Sequence, residues 1–143
     1  MRFRSFALGT MLLTLSLTAS AASVRIADDR GGQIGAYINK FEKVRNSDEN
    51  VIIDGDCLSA CTLVLGLVPR DRICVTPRAR LGFHNAWKPG FIGIHRENAA
   101  GTQILWDTYP DAIRDWIVQK GGLSDRTLYL SGAELTGLYP QCR

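Results

Sequence analysis

The sequence predicts an α/β domain in which short, mostly parallel strands are joined by crossover helices. From Val24 to His84 the pattern runs strand, helix, strand, helix, strand, and this alternation is typical of a parallel sheet covered by helices. Without the N-terminal segment considered below, about 120 residues remain, the size of one domain with a modest core. Crossovers between the parallel strands are expected to be right-handed.

The elements of the first half are predicted from the periodicity of apolar residues and from the turns that bound them. Apolar residues from Ile34 to Phe41 recur at helical spacing, whereas the strands are short apolar runs. Gly31-Gly32 and Asp54-Gly55-Asp56 are predicted turns, since glycine relaxes the backbone. In chain order the predictions are a strand at 24–27, a helix at 34–41, a strand at 51–53, a buried helix at 58–68, and strands at 73–75 and 81–84.

The second half is predicted to be mainly helical. Residues 88–94 contain Pro89 and two glycines and are predicted to form a loop. Apolar residues recur at helical spacing from 97 to 120, and Pro110 is expected to divide that segment into two helices. A strand at 128–130 and a short helix capped by Ser131 complete the domain.

The first 21 residues have the pattern of a cleaved signal peptide. A basic start with Arg2 and Arg4 precedes an apolar run at 6–17 and the small residues Ala19-Ser20-Ala21. The apolar run is about a dozen residues long, whereas a membrane-spanning helix needs roughly 20. We therefore predict cleavage after Ala21, a periplasmic or secreted mature chain that is not inserted in a membrane, and a single domain at 22–143.

The charge of the chain gives no support for nucleic-acid binding. The formal net charge is +3, and Arg2 and Arg4 belong to the predicted signal peptide. The mature charge is therefore about +1, too small to attract a polyanion strongly. Nucleic acid is not expected among the partners.

The four cysteines, Cys57, Cys61, Cys74 and Cys142, predict disulfides in a small exported domain. Three pairings are open, and we prefer Cys61–Cys74 with Cys57–Cys142, which would tie down the C-terminus. A zinc site formed by these cysteines and His84 is an alternative, but the spacing matches no common zinc motif. No metal is predicted.

Ser59 lies where a predicted strand gives way to a predicted helix. A serine at this position commonly caps the helix by accepting a hydrogen bond from the backbone. The alternative is a nucleophile, because the backbone N–H groups of a helix start can stabilise an oxyanion. The residue types alone leave both interpretations open.

Three segments resemble the active-site region of the Clp protease proteolytic subunit, in matching order and spacing. Residues 55–60 (GDCLSA) resemble its nucleophile segment, residues 77–84 (PRARLGFH) resemble its strand ending in the catalytic histidine, and residues 29–32 (DRGG) resemble its glycine turn. The resemblance covers about half of the mature chain and implies a ClpP/crotonase-like fold. The Cys-x-Ser-Ala-Cys-Thr run at 57–62 also resembles uncharacterised exported bacterial relatives of that family.

The resemblance implies a serine hydrolase, and within that class a peptidase, that acts on a peptide or protein without a cofactor. Ser59 would be the nucleophile and His84 the general base. Gly31 or Gly32, together with Ala60, would supply the N–H groups of the oxyanion hole.

The third catalytic position is where the sequence departs from the family. Counting back from Leu130-Ser131 places the family's aspartate at Thr127, whereas Asp125, our predicted orienting residue, requires a two-residue insertion. With Thr127 in that position the site would be a Ser–His dyad or inactive.

Two other functions therefore stay open. A non-catalytic ClpP-like module would bind a peptide or partner in the same cleft. A crotonase-type acyl-CoA enzyme is disfavoured, since export separates the chain from that cofactor.

Residues 88–122 are shorter than the family's handle helix, so its ring assembly is not implied. A cytoplasmic unfoldase is not expected as a partner, and the oligomeric state stays open.

Overall fold

The computed structural model describes residues 22–143, and the predicted signal peptide at 1–21 lies outside them. The strands are β1 (Ser23–Asp29), β2 (Asn50–Leu58), β3 (Ile73–Val75), β4 (Arg80–Phe83), β5 (Trp87–Pro89), β6 (His95–Glu97) and β7 (Leu128–Ser131). The helices are α1 (Ile34–Arg45), α2 (Val64–Leu67), α3 (Ala99–Thr108), α4 (Asp111–Gln119) and α5 (Gly132–Leu138). A 3₁₀ turn at Ser59–Leu63 joins β2 to α2.

A five-stranded mixed sheet forms the centre of the domain. Its order is β1-β2-β4-β7, and β3 also pairs with β2. Strands β1, β3 and β4 run parallel to β2, whereas β7 runs antiparallel to β4. β3 pairs with the first half of β2 and β4 with its last three residues. The predicted α/β class with a mostly parallel sheet is confirmed.

The predicted turn at Asp54-Gly55-Asp56 is wrong, because β2 continues through it to Leu58. The Asp54 carboxylate, though buried, accepts hydrogen bonds from Arg78 Nη2 at 2.6 Å, from Thr76 Oγ1 at 2.7 Å and from Arg25. The bonds from Arg78 and Thr76 hold the pKa of Asp54 well below its usual value, so the strand keeps a charged residue. The polar run is thus satisfied by partners distant in sequence.

Gly55 lets β2 pass close to β1. A Cβ atom at this position would lie 1.7 Å from the carbonyl oxygen of Ala27. The register between the two strands shifts between Ile26 and Asp28, and an extra residue of β2 is accommodated there as a β-bulge. Beyond this bulge β2 continues to Leu58, directly before Ser59.

Helices and the 3₁₀ turn cover the sheet with apolar side chains. The segment from Ala60 to Leu65 is fully buried, and α1 contributes Phe41 and Val44 to the same core. The division of the C-terminal helical segment at Pro110 is confirmed. None of the helices formed by residues 22–143 combines the length and apolar character needed to cross a membrane.

The predicted loop at 88–94 is confirmed for residues 90–94, whereas residues 88–89 belong to β5, which forms an antiparallel hairpin with β6. The rings of Trp87 and His95 stack across the hairpin with their centroids 3.8 Å apart. Its tip is a 3₁₀ turn in which Phe91 and Ile92 are more than four-fifths exposed. Proline and glycine residues obscure the strands in the sequence because they are typical of loops.

The predicted disulfide pairing is wrong, although all four cysteines are paired. Cys57 joins Cys61, and Cys74 joins Cys142. Cys74 lies beside Ile52, in the first half of β2, and the C-terminal tail runs next to β3 through a bond from Cys142 N to the Val75 carbonyl. Cys57 lies at the other end of β2, directly before the turn that brings Cys61 next to it.

The disulfides also exclude the alternative of a zinc site formed by the cysteines and His84. Both sulfur atoms of each pair are bonded to each other, so no thiolate among Cys57, Cys61, Cys74 and Cys142 is available to a metal. Across residues 22–143, no group of three or more histidine, cysteine, aspartate or glutamate side chains is arranged to hold a metal ion.

Candidate active site

The carboxyl ends of β1, β2 and β4 bring the three predicted site segments together. Asp29 at the end of β1 pairs with Cys57, and Leu58 at the end of β2 pairs with Gly82 of β4. The glycine turn follows β1, Ser59 follows β2 and His84 follows β4. Ligand sites in open α/β sheets typically lie at this edge of the strands.

A cavity of about 610 Å³ opens at this edge. Gly31, Gly32, Ser59 and His84 all line it. Three segments that are separate in the sequence therefore share one cavity, with the hydroxyl, the imidazole and the glycine turn on its wall.

Ser59 has a left-handed backbone conformation, with φ of 55°. A residue with a Cβ atom adopts this conformation at a cost of roughly 1–2 kcal/mol, so its neighbours must enforce it. The side chain does not cap the following turn, and among residues 22–143 its hydroxyl forms no hydrogen bond. Ser59 therefore stands on a sharp strand-to-helix turn with its hydroxyl free.

Two features hold this turn in place. The Cys57–Cys61 disulfide spans Ser59, and both cysteines are completely buried. Thr62 Oγ1 donates to the Ser59 carbonyl at 2.6 Å and lies 2.7 Å from Tyr109 Oη. Burial raises the pKa of Tyr109 to about 12, so its hydroxyl stays protonated and can donate to Thr62.

The glycine turn packs directly against the Ser59 turn. Gly31 has φ of 81°, and a Cβ atom on it would lie 2.5 Å from the Leu58 carbonyl oxygen and 2.8 Å from Ser59 Cβ. Only glycine fits a left-handed position at such close approach. The same hypothetical Cβ would lie 2.9 Å from Ala60 N, so the two backbone segments are neighbours.

Asp29 fixes the conformation of the glycine turn. Its carboxylate accepts hydrogen bonds from Gly31 N at 3.0 Å, from Lys40 Nζ at 3.1 Å and from the Tyr37 hydroxyl. Burial by itself raises the pKa of Asp29, but these bonds outweigh it and the pKa is lowered. The sequence carries a signal for this role of Asp29, because an aspartate two residues before a glycine is typical of this kind of turn.

The bond to Asp29 distinguishes the predicted oxyanion donors. Gly31 N–H is already donated to that carboxylate. Within the described range 22–143, Gly32 N–H and Ala60 N–H donate to no other protein group. These two N–H groups are therefore the ones available to an anionic oxygen at Ser59.

His84 is oriented by a backbone carbonyl. Its Nδ1 lies 2.6 Å from the carbonyl oxygen of Asn85. A carbonyl only accepts hydrogen bonds, so Nδ1 carries the proton and Nε2 is the free acceptor of the neutral ring. Asn85 is itself held by a bond from its N–H to the Ser124 carbonyl at 2.7 Å.

The two predicted positions for the third catalytic residue lie on the other side of His84. Phe83 pairs with Leu128, and extending this antiparallel register by one residue places Thr127 opposite His84. Thr127 and the exposed Asp125 both line a second cavity, of about 650 Å³, that His84 shares. In the part of the chain that the structure describes, no hydrogen bond joins Asp125 to His84.

Comparison with known proteins finds solved structures that are similar to the chain. No protein-family model and no curated protein matches the sequence. One of these structures is that of a ClpP1 mutant from Listeria monocytogenes, with a TM-score of 0.46 and 18% sequence identity, covering 83% of this chain and 71% of that chain. A similarity of this size does not decide function, and the α/β class rests on the sheet order and register of the chain itself.

Proposed function

We propose that the chain is an exported serine hydrolase, with peptides as its substrate class, that works by acyl transfer through Ser59 and His84. The observation that carries the proposal is the left-handed conformation of Ser59 at the end of β2, in a cavity shared with His84 and the glycine turn. A strained serine on a strand-to-helix turn is typical of a nucleophile whose hydroxyl must be exposed to substrate.

The first half of the proposed reaction forms an acyl-enzyme. Ser59 Oγ attacks the acyl carbon while His84 Nε2 takes the hydroxyl proton, and the carbonyl oxygen gains the electron pair of its double bond. Gly32 N–H and Ala60 N–H donate to this oxygen. The carbonyl then re-forms, the bond to the amine or alcohol breaks, and His84 gives its proton to that leaving group.

The second half releases the acyl group. Water attacks the Ser59 ester as His84 Nε2 accepts one of its protons. The ester bond to Oγ then breaks, His84 returns the proton to Oγ, and a carboxylic acid leaves. The Asn85 carbonyl keeps the imidazole in the same tautomer throughout, because Nδ1 needs its proton for that bond.

Two further observations support export. Both disulfides lie in the domain, and disulfides persist in oxidising compartments such as the periplasm. The predicted signal peptide is consistent with this location. The site would thus act outside the cytoplasm, away from the usual acyl-CoA pool.

A non-catalytic peptide-binding module is the second candidate. It is favoured by the absence of a carboxylate hydrogen-bonded to His84 among residues 22–143. In that case the cavity would bind a peptide without cleaving it. The two candidates differ in whether Ser59 turns over an activated acyl group.

Turnover of an activated ester by the mature protein tests the proposal. We expect p-nitrophenyl acetate to give a burst of p-nitrophenol with an amplitude close to the enzyme concentration, followed by slower turnover. Ser59→Ala is expected to abolish the burst and lower kcat/KM by at least about 10³-fold. The matched control is Ser124→Ala, because Ser124 also lies in a cavity with His84 but not on the turn. Equal loss in both variants, or no burst in the parent protein, would refute the proposal.

Asp125→Asn distinguishes a dyad from a triad. Asp125 is exposed and makes no hydrogen bond to His84, so we expect kcat for ester hydrolysis to stay within about 3-fold of the parent value. Loss of the aspartate from a working triad lowers kcat by about 10⁴-fold. Steady-state kinetics of Asp125→Asn therefore distinguishes a dyad from a triad, and Asp48→Asn is the control for the loss of an exposed aspartate. A loss above 100-fold would establish Asp125 as the orienting residue.

A further inference from the structure

We propose that Arg30 and Lys88 make the Ser59 cavity selective for substrates that carry a carboxylate next to the acyl group, which defines acidic peptides as the substrate class. This inference rests on the proposed function, because it assigns the substrate of the same site. It concerns two residues that have no part in the acyl-transfer steps themselves.

The charge of the cavity is the first observation. Arg30 follows β1 and precedes the glycine turn, and Lys88 belongs to β5, so two separate elements each bring one cation to the wall. Among the residues that line this cavity there is no aspartate or glutamate within the described range 22–143. Two positive charges without a negative one attract an anion and repel a cation.

Both cations also lack a partner among the residues that the structure describes. In residues 22–143, neither Arg30 nor Lys88 forms an ion pair or a side-chain hydrogen bond. Six other cations do form ion pairs, namely Arg25, Lys40, Arg78, Arg80, Arg114 and Lys120. The charges of Arg30 and Lys88 are therefore available to a ligand.

Two acidic residues near the cavity, Asp29 and Asp56, are bound to other groups. Asp29 accepts from Gly31, Tyr37 and Lys40. Asp56 accepts hydrogen bonds from both Nε and Nη2 of Arg80 at 2.7 Å. These bonds, and to a smaller extent the charge of Arg30, lower the pKa of Asp56. Neither carboxylate competes strongly with a ligand for Arg30.

Glu97 is the remaining acidic residue of the hairpin. It lies in the second cavity and is paired in register with Trp87 rather than with Lys88. Lys88 instead lies directly opposite Arg96, and two like charges in this arrangement are destabilising. A carboxylate bound at Lys88 would relieve that repulsion.

The remaining wall is largely apolar. Ile34, Ala86, Trp87 and Leu105 line the same cavity. A ligand that fits both features has a carboxylate at the basic side and an aliphatic or aromatic group against the apolar wall. A peptide with aspartate or glutamate beside a hydrophobic residue has this chemistry, and so does a peptide with a free C-terminal carboxylate.

Matched peptide pairs test the inference in two arms. One arm compares fluorogenic peptides that differ only by Glu against Gln at each position around the scissile bond, and the other compares a C-terminal acid with its amide. We expect kcat/KM to be about 5-fold higher or more for the acid in one arm, since each exposed charge contact contributes up to about 1 kcal/mol. The arm that shows the preference identifies the source of the carboxylate.

Charge-removal variants connect the preference to the two residues. Arg30→Gln/Lys88→Gln is expected to abolish the preference, so that the acid and the neutral member of each peptide pair have the same kcat/KM. The control is Arg126→Gln, an exposed arginine outside both cavities, which should keep the preference. Raising the salt concentration to 0.5 M should reduce the preference in the parent protein, since exposed charges are screened.

A binding measurement keeps the inference separate from catalysis. In Ser59→Ala, fluorescence anisotropy of labelled peptides should give a Kd about 5-fold lower for the acid than for the amide, and the difference should vanish with Arg30→Gln/Lys88→Gln. Equal Kd values, or a preference that survives the double substitution, would overturn the inference. Absence of turnover together with this binding preference would refute the hydrolase and retain the acidic peptide as ligand.

Discussion

Opening the Cys74–Cys142 disulfide is expected to lower the free energy of unfolding by about 4 kcal/mol. The two cysteines are separated by 68 positions, and a crosslink that closes a loop of this length removes much of the entropy of the unfolded chain. The same bond holds the C-terminal tail against β3, where Val75 N donates to the Pro140 carbonyl and Cys142 N to the Val75 carbonyl. A small domain has only about 5–15 kcal/mol in total, so the effect is large.

Urea unfolding of Cys74→Ala/Cys142→Ala, followed by circular dichroism, measures this change. Ester turnover per folded molecule should stay within about 2-fold of the parent value, because the disulfide is remote in sequence and in the sheet from the Ser59 turn. A loss of less than about 1 kcal/mol would show that the tail is held by its other contacts. Loss of turnover in the fully folded variant would contradict the division of roles between the disulfides.

Opening the Cys57–Cys61 disulfide is expected to lower kcat by about 100-fold. It should lower the free energy of unfolding by less than opening the Cys74–Cys142 disulfide does. The Cys57–Cys61 bond closes a loop of only five residues, for which the entropic contribution is about 2 kcal/mol. Ser59 lies at the centre of this loop with its left-handed backbone. Without the crosslink the residue can relax, and a displacement of about 1 Å at a nucleophile can cost about 10²-fold in rate.

The matched comparison is Cys57→Ala/Cys61→Ala against Cys74→Ala/Cys142→Ala, both measured at a temperature where each is fully folded. We expect kcat to fall only in the first variant, with KM for the ester little changed, since the cavity walls at Ile34 and Leu105 are intact. Parent-like kcat after removal of the Cys57–Cys61 bond would show that Thr62 and Tyr109 alone hold the turn.

The positions of Ser59 and His84 could be predicted because they depend on local patterns. Apolar runs predicted strands shortly before Ser59 and up to His84, and parallel strands bring their carboxyl ends to one edge of the sheet. Apolar periodicity also predicted α1, β3 and the two helices around Pro110. These features need only the neighbouring residues along the chain.

The features that sequence analysis missed depend on contacts between distant residues. β2 passes through Asp54 because Arg25, Thr76 and Arg78 satisfy its carboxylate. The disulfide pairing depends on the C-terminal tail lying beside β3, which brings Cys142 next to Cys74. Neither arrangement has a local signature.

Within the site, the structure refined two predictions that the sequence left open. The bond from Gly31 N–H to Asp29 leaves Gly32 as the residue of the turn that we propose as oxyanion donor, and this choice requires the folded geometry. The register of β4 and β7 ends at Phe83 and Leu128, and both Thr127 and Asp125 line the second cavity with His84. No hydrogen bond joins Asp125 to His84 within residues 22–143, so we expect no large loss in Asp125→Asn, and its kinetics decide the role of this residue.

The central claim is that Ser59 is a nucleophile activated by His84, and fluorophosphonate labelling with mapping of the adduct by tandem mass spectrometry tests it most directly. We predict a single adduct on the folded mature protein, located at Ser59, formed at a rate that falls at least about 100-fold in His84→Ala. Heat-denatured protein and a known serine hydrolase serve as the negative and positive controls. No adduct under conditions that label the positive control, an adduct on another serine, or labelling that persists in Ser59→Ala would contradict the claim.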